Sequence, residues 1–419
     1  MMKINTWIKI ALFNFLLVAI LGTFLRYAFI KELKFMDYIH FENAHWHLAI
    51  FGWIFQIMYS FIIGAFLTPP QQEQKKYKLL FLFNQAFIFA MVIMILINGY
   101  SVISIGFDIG FLVPVLFFIR SFLKDLKISS NAPAAFSEGL IKAALFFLAL
   151  SFLGVFSMIP IELFYNAKRS ILYYLSSQFF LHFEYNGWFT FGLFALFFRL
   201  CENNGVLFNT QKFVRFKWLM VFSAFLTYFL SIYWGYPGHY PFLFIAVTGG
   251  LLQLVSVFII YHDFKNVFLE IKSKLNKYTK FLFLLSFCSF LVKLVLQVII
   301  IFPRIAGLAL SIRNYTIAYL HLMFLGVAST FFIGWAIEQK YILTARKKID
   351  FPVITFAIGI VLIELLLVFQ GTLLWMDFGF IPFYYESLFL ITLLLPLSLF
   401  FIFIRNFKIF YKTLLFKAG

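Results

Sequence analysis

The chain has 419 residues, of which 63% are hydrophobic, 22% aromatic and only 12% charged, and it carries 65 phenylalanines. That balance excludes a soluble globular domain and points to an integral membrane protein. Lys and Arg outnumber Asp and Glu by 34 to 17, but the basic residues are divided among short segments, which fits contact with anionic lipid headgroups and excludes a nucleic-acid surface.

A helix needs about 20 apolar residues to cross a bilayer. Cutting the chain at its polar clusters predicts twelve spans, over 7–29, 45–68, 79–98, 101–122, 138–163, 174–200, 217–237, 241–261, 281–303, 315–336, 351–373 and 380–404. Only "NGYS" (98–101) separates the third from the fourth. The first segment has eleven more behind it and no small-residue cleavage site, so it reads as a span and not a signal peptide. The expected architecture is all-α, a single membrane domain over residues 1–419. Cys201 and Cys288 are far apart and lack any paired spacing, so neither a disulfide framework nor a zinc site is expected.

Basic clusters fall at "QKKYK" (74–78), "RSFLKDLK" (120–127), "QKFVRFK" (211–217), "KSKLNKYTK" (272–280), "ARKK" (345–348) and the tail from 405 to 417. With twelve spans these all lie on one side, which the positive-inside rule makes cytoplasmic, together with both termini. A bacterial inner (plasma) membrane is the expected location, with the lipid bilayer as the first partner.

That orientation gives the seven histidines a meaning. His40 falls in the first outer loop and His262 in a cytoplasmic one. His45, His47, His182, His239 and His321 gather at the outer end or in the outer half of helices. Three of them recur in a pattern: "HLAIFGW" (47–53), "HFEYNGW" (182–188) and "HLMFLGV" (321–327), each a His with Gly five residues on. Their placement on the second, sixth and tenth helices predicts three repeats of four helices, about 1–137, 138–280 and 281–419. A small residue in the next turn admits a backbone or a flat ligand, which suits a histidine that ligates something bulky. The competing reading is that the glycine marks helix packing and the histidine bonds a neighbouring carbonyl. Ionisable groups at membrane depth are functional by default.

Twelve helices in three four-helix arcs, with histidines near the outer face of the second, sixth, seventh and tenth, resemble the catalytic subunit of the haem–copper oxidase superfamily. Within it, the C-type oxidases and bacterial nitric oxide reductases are most similar. The resemblance implies a low-spin haem b held between a helix-two and a helix-ten histidine. "HWHLAIFGW" (45–53) puts His45 at the first ligand position, and "NYTIAYLHLMFLG" (314–326) puts His321 at the second. The internal repeat instead pairs His47 with His321. Residues two apart on a helix point about 200° apart, so only one of His45 and His47 faces a given haem, and both stand as candidates.

The resemblance also implies a copper site with one histidine from helix six and two from helix seven. His182 and His239 take two of those positions, and in "YWGYPGH" (233–239) Gly238 stands where the third belongs. Tyr319 replaces the histidine that would ligate a high-spin haem, and Glu184 follows His182 as in the His-x-Glu of A-type oxidases. Copper with two imidazoles would be held weakly, so oxygen reduction with coupled pumping is not expected. The expectation is a haem-carrying redox protein, with Glu184 and Tyr319 at a modified second site acting on a small substrate. Arg304 and Arg313, on the outer loop before helix ten, are candidate partners for haem propionates. No loop is long enough for a C-x-x-C-H haem domain or a copper domain, so electrons would come from a separate protein or from quinol, and further membrane subunits fit the same scheme.

Two other classes compete. One is a non-catalytic haem or copper protein for sensing or assembly. The other is a twelve-helix transporter whose route is lined by Lys293, Glu364, Asp108 and Glu184, with Glu364 as a partner for Lys293. The predicted orientation is checked with C-terminal fusions: a fluorescent protein is expected to fluoresce and alkaline phosphatase to stay inactive, and the reverse pair of results overturns it.

Overall fold

The structure is a computed structural model and describes residues 4–129, 135–165, 170–206, 210–236, 238–344 and 350–415. The basic residues of 345–348 and Pro237 lie outside them. The described residues form helices and their connections. Eleven helices are long and apolar enough to cross a membrane. They are α1 (Ile4–Tyr27), α2 (Tyr38–Phe66), α3 (Lys75–Asn98), α4 (Val102–Ser129), α5 (Phe136–Tyr165), α7 (Thr210–Gly235), α8 (Tyr240–Lys272), α9 (Lys277–Ile299), α10 (Arg313–Glu338), α11 (Phe351–Trp375) and α12 (Tyr384–Asn406). Between α5 and α7 a further helical run, α6 (171–203), covers the sixth expected span, and His182, Glu184 and Asn186 in its middle lower its hydropathy. The tight separation of α3 from α4 rests on Gly99, whose φ of 64° is open to glycine at no steric cost.

Neighbours in sequence pack as antiparallel pairs, most closely α7 on α8. Small residues set that closeness, as membrane helices require, since lipid leaves no hydrophobic force between them. A Cβ on Gly154 of α5 would lie 2.5 Å from the Ser176 carbonyl oxygen of α6, and one on Gly249 of α8 would lie 2.8 Å from the Thr227 nitrogen of α7.

Not all helices have the same surroundings. The apolar windows of α2 and α10 are 83% and 72% buried against 56% or less in the other nine, which makes these two inner helices. Buried Phe183, Trp188, Phe191 and Phe198 place α6 with them. The three inner helices meet pairwise: Trp53 Nε1 of α2 donates to Ser329 Oγ of α10 at 2.8 Å, Phe55 of α2 lies 6.3 Å from Trp188 of α6, and Phe189 of α6 lies 5.9 Å from Phe324 of α10.

Each inner helix also widens to a π-helical stretch, over Leu48–Phe55, Glu184–Phe189 and Leu322–Ser329, and in each the stretch holds the glycine of the histidine motif. A π turn displaces the i→i+4 ladder, and in lipid a displaced carbonyl must find another donor. Side chains supply it: Asn14 Nδ2 reaches the Gly52 carbonyl at 2.7 Å, Thr190 Oγ1 the Tyr185 carbonyl at 2.7 Å and Ser329 Oγ the Phe324 carbonyl at 2.6 Å. Asn14 is itself fixed by Gln85, which also receives Gln56.

At the end of the molecule that carries the basic clusters, here the basic end, acidic side chains are paired. Lys76 and the Tyr77 hydroxyl hold Asp125 at 2.7 and 2.9 Å, Lys212 holds Asp263 at 2.9 Å and Arg405 holds Asp350 at 2.8 Å.

Gly154→Ala is expected to lower stability by about 1–3 kcal/mol, because backbone cannot yield to the added methyl as a side chain would. Gly106→Ala, where a Cβ meets nothing within 4 Å, serves as the control. Equal melting midpoints of the two variants in detergent would count against this packing.

Candidate functional site

The donor–acceptor rules of imidazole separate the histidines. A neutral ring has one N–H and one lone pair, and a carbonyl can only accept.

His47 sits in the third turn of α2. Its Nδ1–H donates to the Asn43 carbonyl at 2.8 Å, so Nε2 is the acceptor, and the Tyr100 hydroxyl fills it at 2.8 Å. Asp108 Oδ1 stands 3.7 Å from the same nitrogen. Both nitrogens of His47 are therefore engaged, on the side of α2 that faces α4.

His45 points elsewhere. Its Nδ1–H donates to the Val18 carbonyl of α1 at 3.0 Å, and its ring lies in a notch where a Cβ on Gly22 would be 3.0 Å from Cε1. That bond fixes the tautomer and leaves a lone pair on Nε2, which has no hydrogen-bond partner among the described residues. A ring held through one nitrogen by a backbone carbonyl, with the other free, is how proteins orient a metal-ligating histidine.

His321 of α10 is the counterpart. Its Nδ1 is buried and unpartnered, and neither ring nitrogen makes a hydrogen bond among the described residues. His45 lies within electrostatic reach of His321, and Arg26 of α1 within reach of both. Both histidines are half-buried.

A cavity of about 420 Å³ is lined by Arg26, Tyr38, Arg313, Asn314, Ile317 and Tyr384, together with apolar residues of α11 and α12. Its size falls within the ~300–1,000 Å³ usual for small-molecule and cofactor sites. Helix periodicity brings it near the histidines: Ile317 is one turn before His321 on α10, and Arg26 is one turn beyond Gly22, which is close to His45. The cavity itself is lined by guanidinium, amide and phenol groups among apolar side chains.

The two arginines differ. Arg313 bonds Glu42 and reaches the Tyr38 hydroxyl at 3.3 Å, and it is exposed. Arg26 makes no ion pair or hydrogen bond among the described residues, although charges on Glu42 and Glu364 are within its electrostatic reach. An unpartnered charge taken out of water costs several kcal/mol, so Arg26 and the free nitrogens together mark a place suited to an anionic ligand that also accepts imidazole. Arg304 is exposed and lies away from this cavity. The sequence reading overlooked Arg26. The sign rule held a cue, for a basic residue at the end of α1 opposite the basic clusters is out of place without a local reason.

The remaining candidates form a second region around α6. His182 is buried, with Nε2 2.7 Å from the Ala224 carbonyl of α7 and Nδ1 3.2 Å from Asn186 Nδ2. Asn186 Oδ1 accepts from Lys293 Nζ of α9 at 2.5 Å. His239 is not brought to it. His239 is exposed at the start of α8 beside Tyr236 and Phe242, beyond the end of α7. Thr227, which faces His182, is eight residues before the last residue of α7, Gly235, about 12 Å along the axis. Among the described residues no group of three or more His, Cys, Asp or Glu is placed to hold a metal ion.

Glu184 accepts from Ser151 of α5 at 2.8 Å, and Tyr319 lies within electrostatic reach of Tyr185. The four charges proposed to line a transport route have separate surroundings: Lys293 meets Asn186, Glu184 meets Ser151, Asp108 stands by His47, and Glu364 lies near Arg26 with its Oε1 buried and unpartnered. The motif glycines serve packing at two of three places, since a Cβ on Gly187 would be 2.4 Å from Phe147 and one on Gly326 would be 2.9 Å from Ser289 Oγ.

A scan against protein-family models and a search of curated proteins found no match for the chain.

His47 of α2 and His321 of α10 make opposite demands on stability. His47→Ala removes the ring contacts with the Tyr100 hydroxyl and the Asn43 carbonyl and is expected to cost about 1–3 kcal/mol. His321→Ala removes no hydrogen bond and is expected to melt closer to the parent when both are compared without added cofactor. A reversed order of midpoints would contradict this accounting.

Proposed function

We propose that this chain is a haem-carrying membrane redox protein, with a low-spin haem b held between His45 and His321 and its propionates facing Arg26 and Arg313. The observation that carries the reading is the pairing of two imidazoles with unengaged ring nitrogens, on two inner helices, near a cavity whose guanidinium lacks a partner. The residues present fit the group: His45 is oriented through Val18, His321 has nothing else to bond, and Arg26 supplies a charge-assisted contact for a carboxylate.

Held by His45 and His321, a haem would supply one-electron chemistry, with its potential set by ligands and burial. The chain's own groups do the rest. Gly22 gives His45 room, the Val18 carbonyl holds the ring, Arg26 balances negative charge, and the surrounding phenylalanines exclude water. In this reading His47 supports the site by holding the first turns of α2 against Tyr100, and Arg304 plays no part. The three histidine motifs, each with its π turn, belong to three four-helix repeats of a fold resembling subunit I of the haem–copper oxidases, with both termini cytoplasmic. Electrons arrive from a separate protein or from quinol, in a bacterial inner membrane. The function is electron transfer, or reduction of a small substrate at a modified second site near Tyr319 and Glu184.

The test is a reduced-minus-oxidised optical spectrum of the purified protein expressed with ample haem. A sharp b-type signal is expected, lost in His45→Ala and in His321→Ala and kept in His47→Ala. Arg26→Leu is expected to retain the signal and to lower the midpoint potential, because a positive charge beside the propionates favours the reduced iron. A protein with no haem, or a signal that survives His321→Ala, would end this reading.

A further inference from the structure

We propose that Lys293 is an internal cation that locks His182 as a hydrogen-bond relay, so that His182 is not a metal ligand in this protein. The inference goes beyond the haem reading and does not depend on it, since it concerns a different cluster on α6, α7 and α9.

The assignment follows from Lys293 in its charged form. An ammonium has donors only, so the Asn186 amide must turn its Oδ1 towards Lys293 Nζ, at 2.5 Å. That orientation points Asn186 Nδ2, which can only donate, at His182 Nδ1, 3.2 Å away. His182 Nδ1 is therefore the acceptor and Nε2 carries the proton, which it donates to the Ala224 carbonyl at 2.7 Å. Every polar atom in the chain from Lys293 to Ala224 has one role. The single lone pair of the ring is spent on Asn186, and the single N–H on Ala224. A metal at Nδ1 would displace Asn186 and leave the ammonium without its partner. A metal at Nε2 would have to expel the proton and abandon the carbonyl.

Burial makes the lock firm. Lys293 is 1% exposed and Asn186 4% exposed, and Lys293 Nζ stands over the Phe290 ring, 5.8 Å from its centre. No acidic side chain bonds Lys293 among the described residues. Glu184 is two positions from Asn186 but turns to Ser151, and Glu364 lies near Arg26 instead. The positive charge at this depth is supplied by the protein itself, and the helix-six histidine is turned from ligand to relay by the residue four positions later. His239 cannot complete a metal site with it, being exposed at the start of α8.

The experiment uses the full chain in detergent with two readouts. Copper per chain is measured after incubation with Cu(I) and removal of the excess, in the parent and in His182→Ala. The expected content is well below one and equal in both, and one copper per chain that disappears in His182→Ala overturns the proposal. The second readout is the nitrogen NMR spectrum of histidine-labelled protein, with His182 assigned by its loss in His182→Ala. The Nε2–H tautomer is expected in the parent, with a shift of that resonance in Lys293→Met and its restoration in Lys293→Arg. An Nδ1–H tautomer, or a resonance that Lys293→Met does not move, overturns the relay. Should Lys293→Met fail to fold, Asn186→Asp supplies the same comparison, since a carboxylate keeps the contact with Lys293 and withdraws the amide donor from His182.

Discussion

Lipid provides no hydrogen bonds, and that constraint governs the interior of this molecule. Three inner helices are widened at the histidine motifs, and each widened turn frees a carbonyl that must be answered from a side chain. Asn14, Thr190 and Ser329 answer them. Because Asn14 belongs to α1 and Ser329 also receives Trp53 of α2, the local repair of a turn becomes a contact between helices. The polar residues in these segments are consequences of the π geometry as much as of any chemistry the protein performs.

The same accounting sorts the histidines. Four nitrogens on His47 and His182 are all used, and their rings serve as pegs between helices. His45 and His321 retain nitrogens with nothing to bond, and they lie on two inner helices near one cavity. In a membrane, where leaving a polar group unpaired is expensive, such omissions carry more information than the bonds that are made. They fall at one place, next to a guanidinium that is likewise without a partner.

Much of the helical layout was legible in the sequence, since runs of about 20 apolar residues are the strongest signal a chain can carry. The break at Gly99 was visible as "NGYS". The ends of α4 and α8 were placed too early, at 122 and 261 rather than at Ser129 and Lys272, because both helices extend past their apolar stretch into polar sequence. What sequence left open was direction. His45 and His47 are two residues apart, and only the packing of α1 against α2 decides which ring meets Val18 and which meets Tyr100. Asn186 gave no signal, because its importance lies in the polarity of two bonds, one to His182 four residues back and one to Lys293, 107 residues away. Arg26 was missed for the opposite reason: its lack of a partner is a property of the fold alone.

Arg26 also bears on how the protein survives before any ligand arrives. A state in which a guanidinium and a ring nitrogen are both left unanswered is poorer in stability than one in which they are engaged, and a ligand that binds only the folded form deepens the native well by mass action. Newly made chains would then be triaged by supply: those that acquire the group persist, while those that do not spend longer in partly opened forms open to proteases. On the proposed reading, the guanidinium near the end of α1 would tie the abundance of the protein in its membrane to the supply of the group it binds.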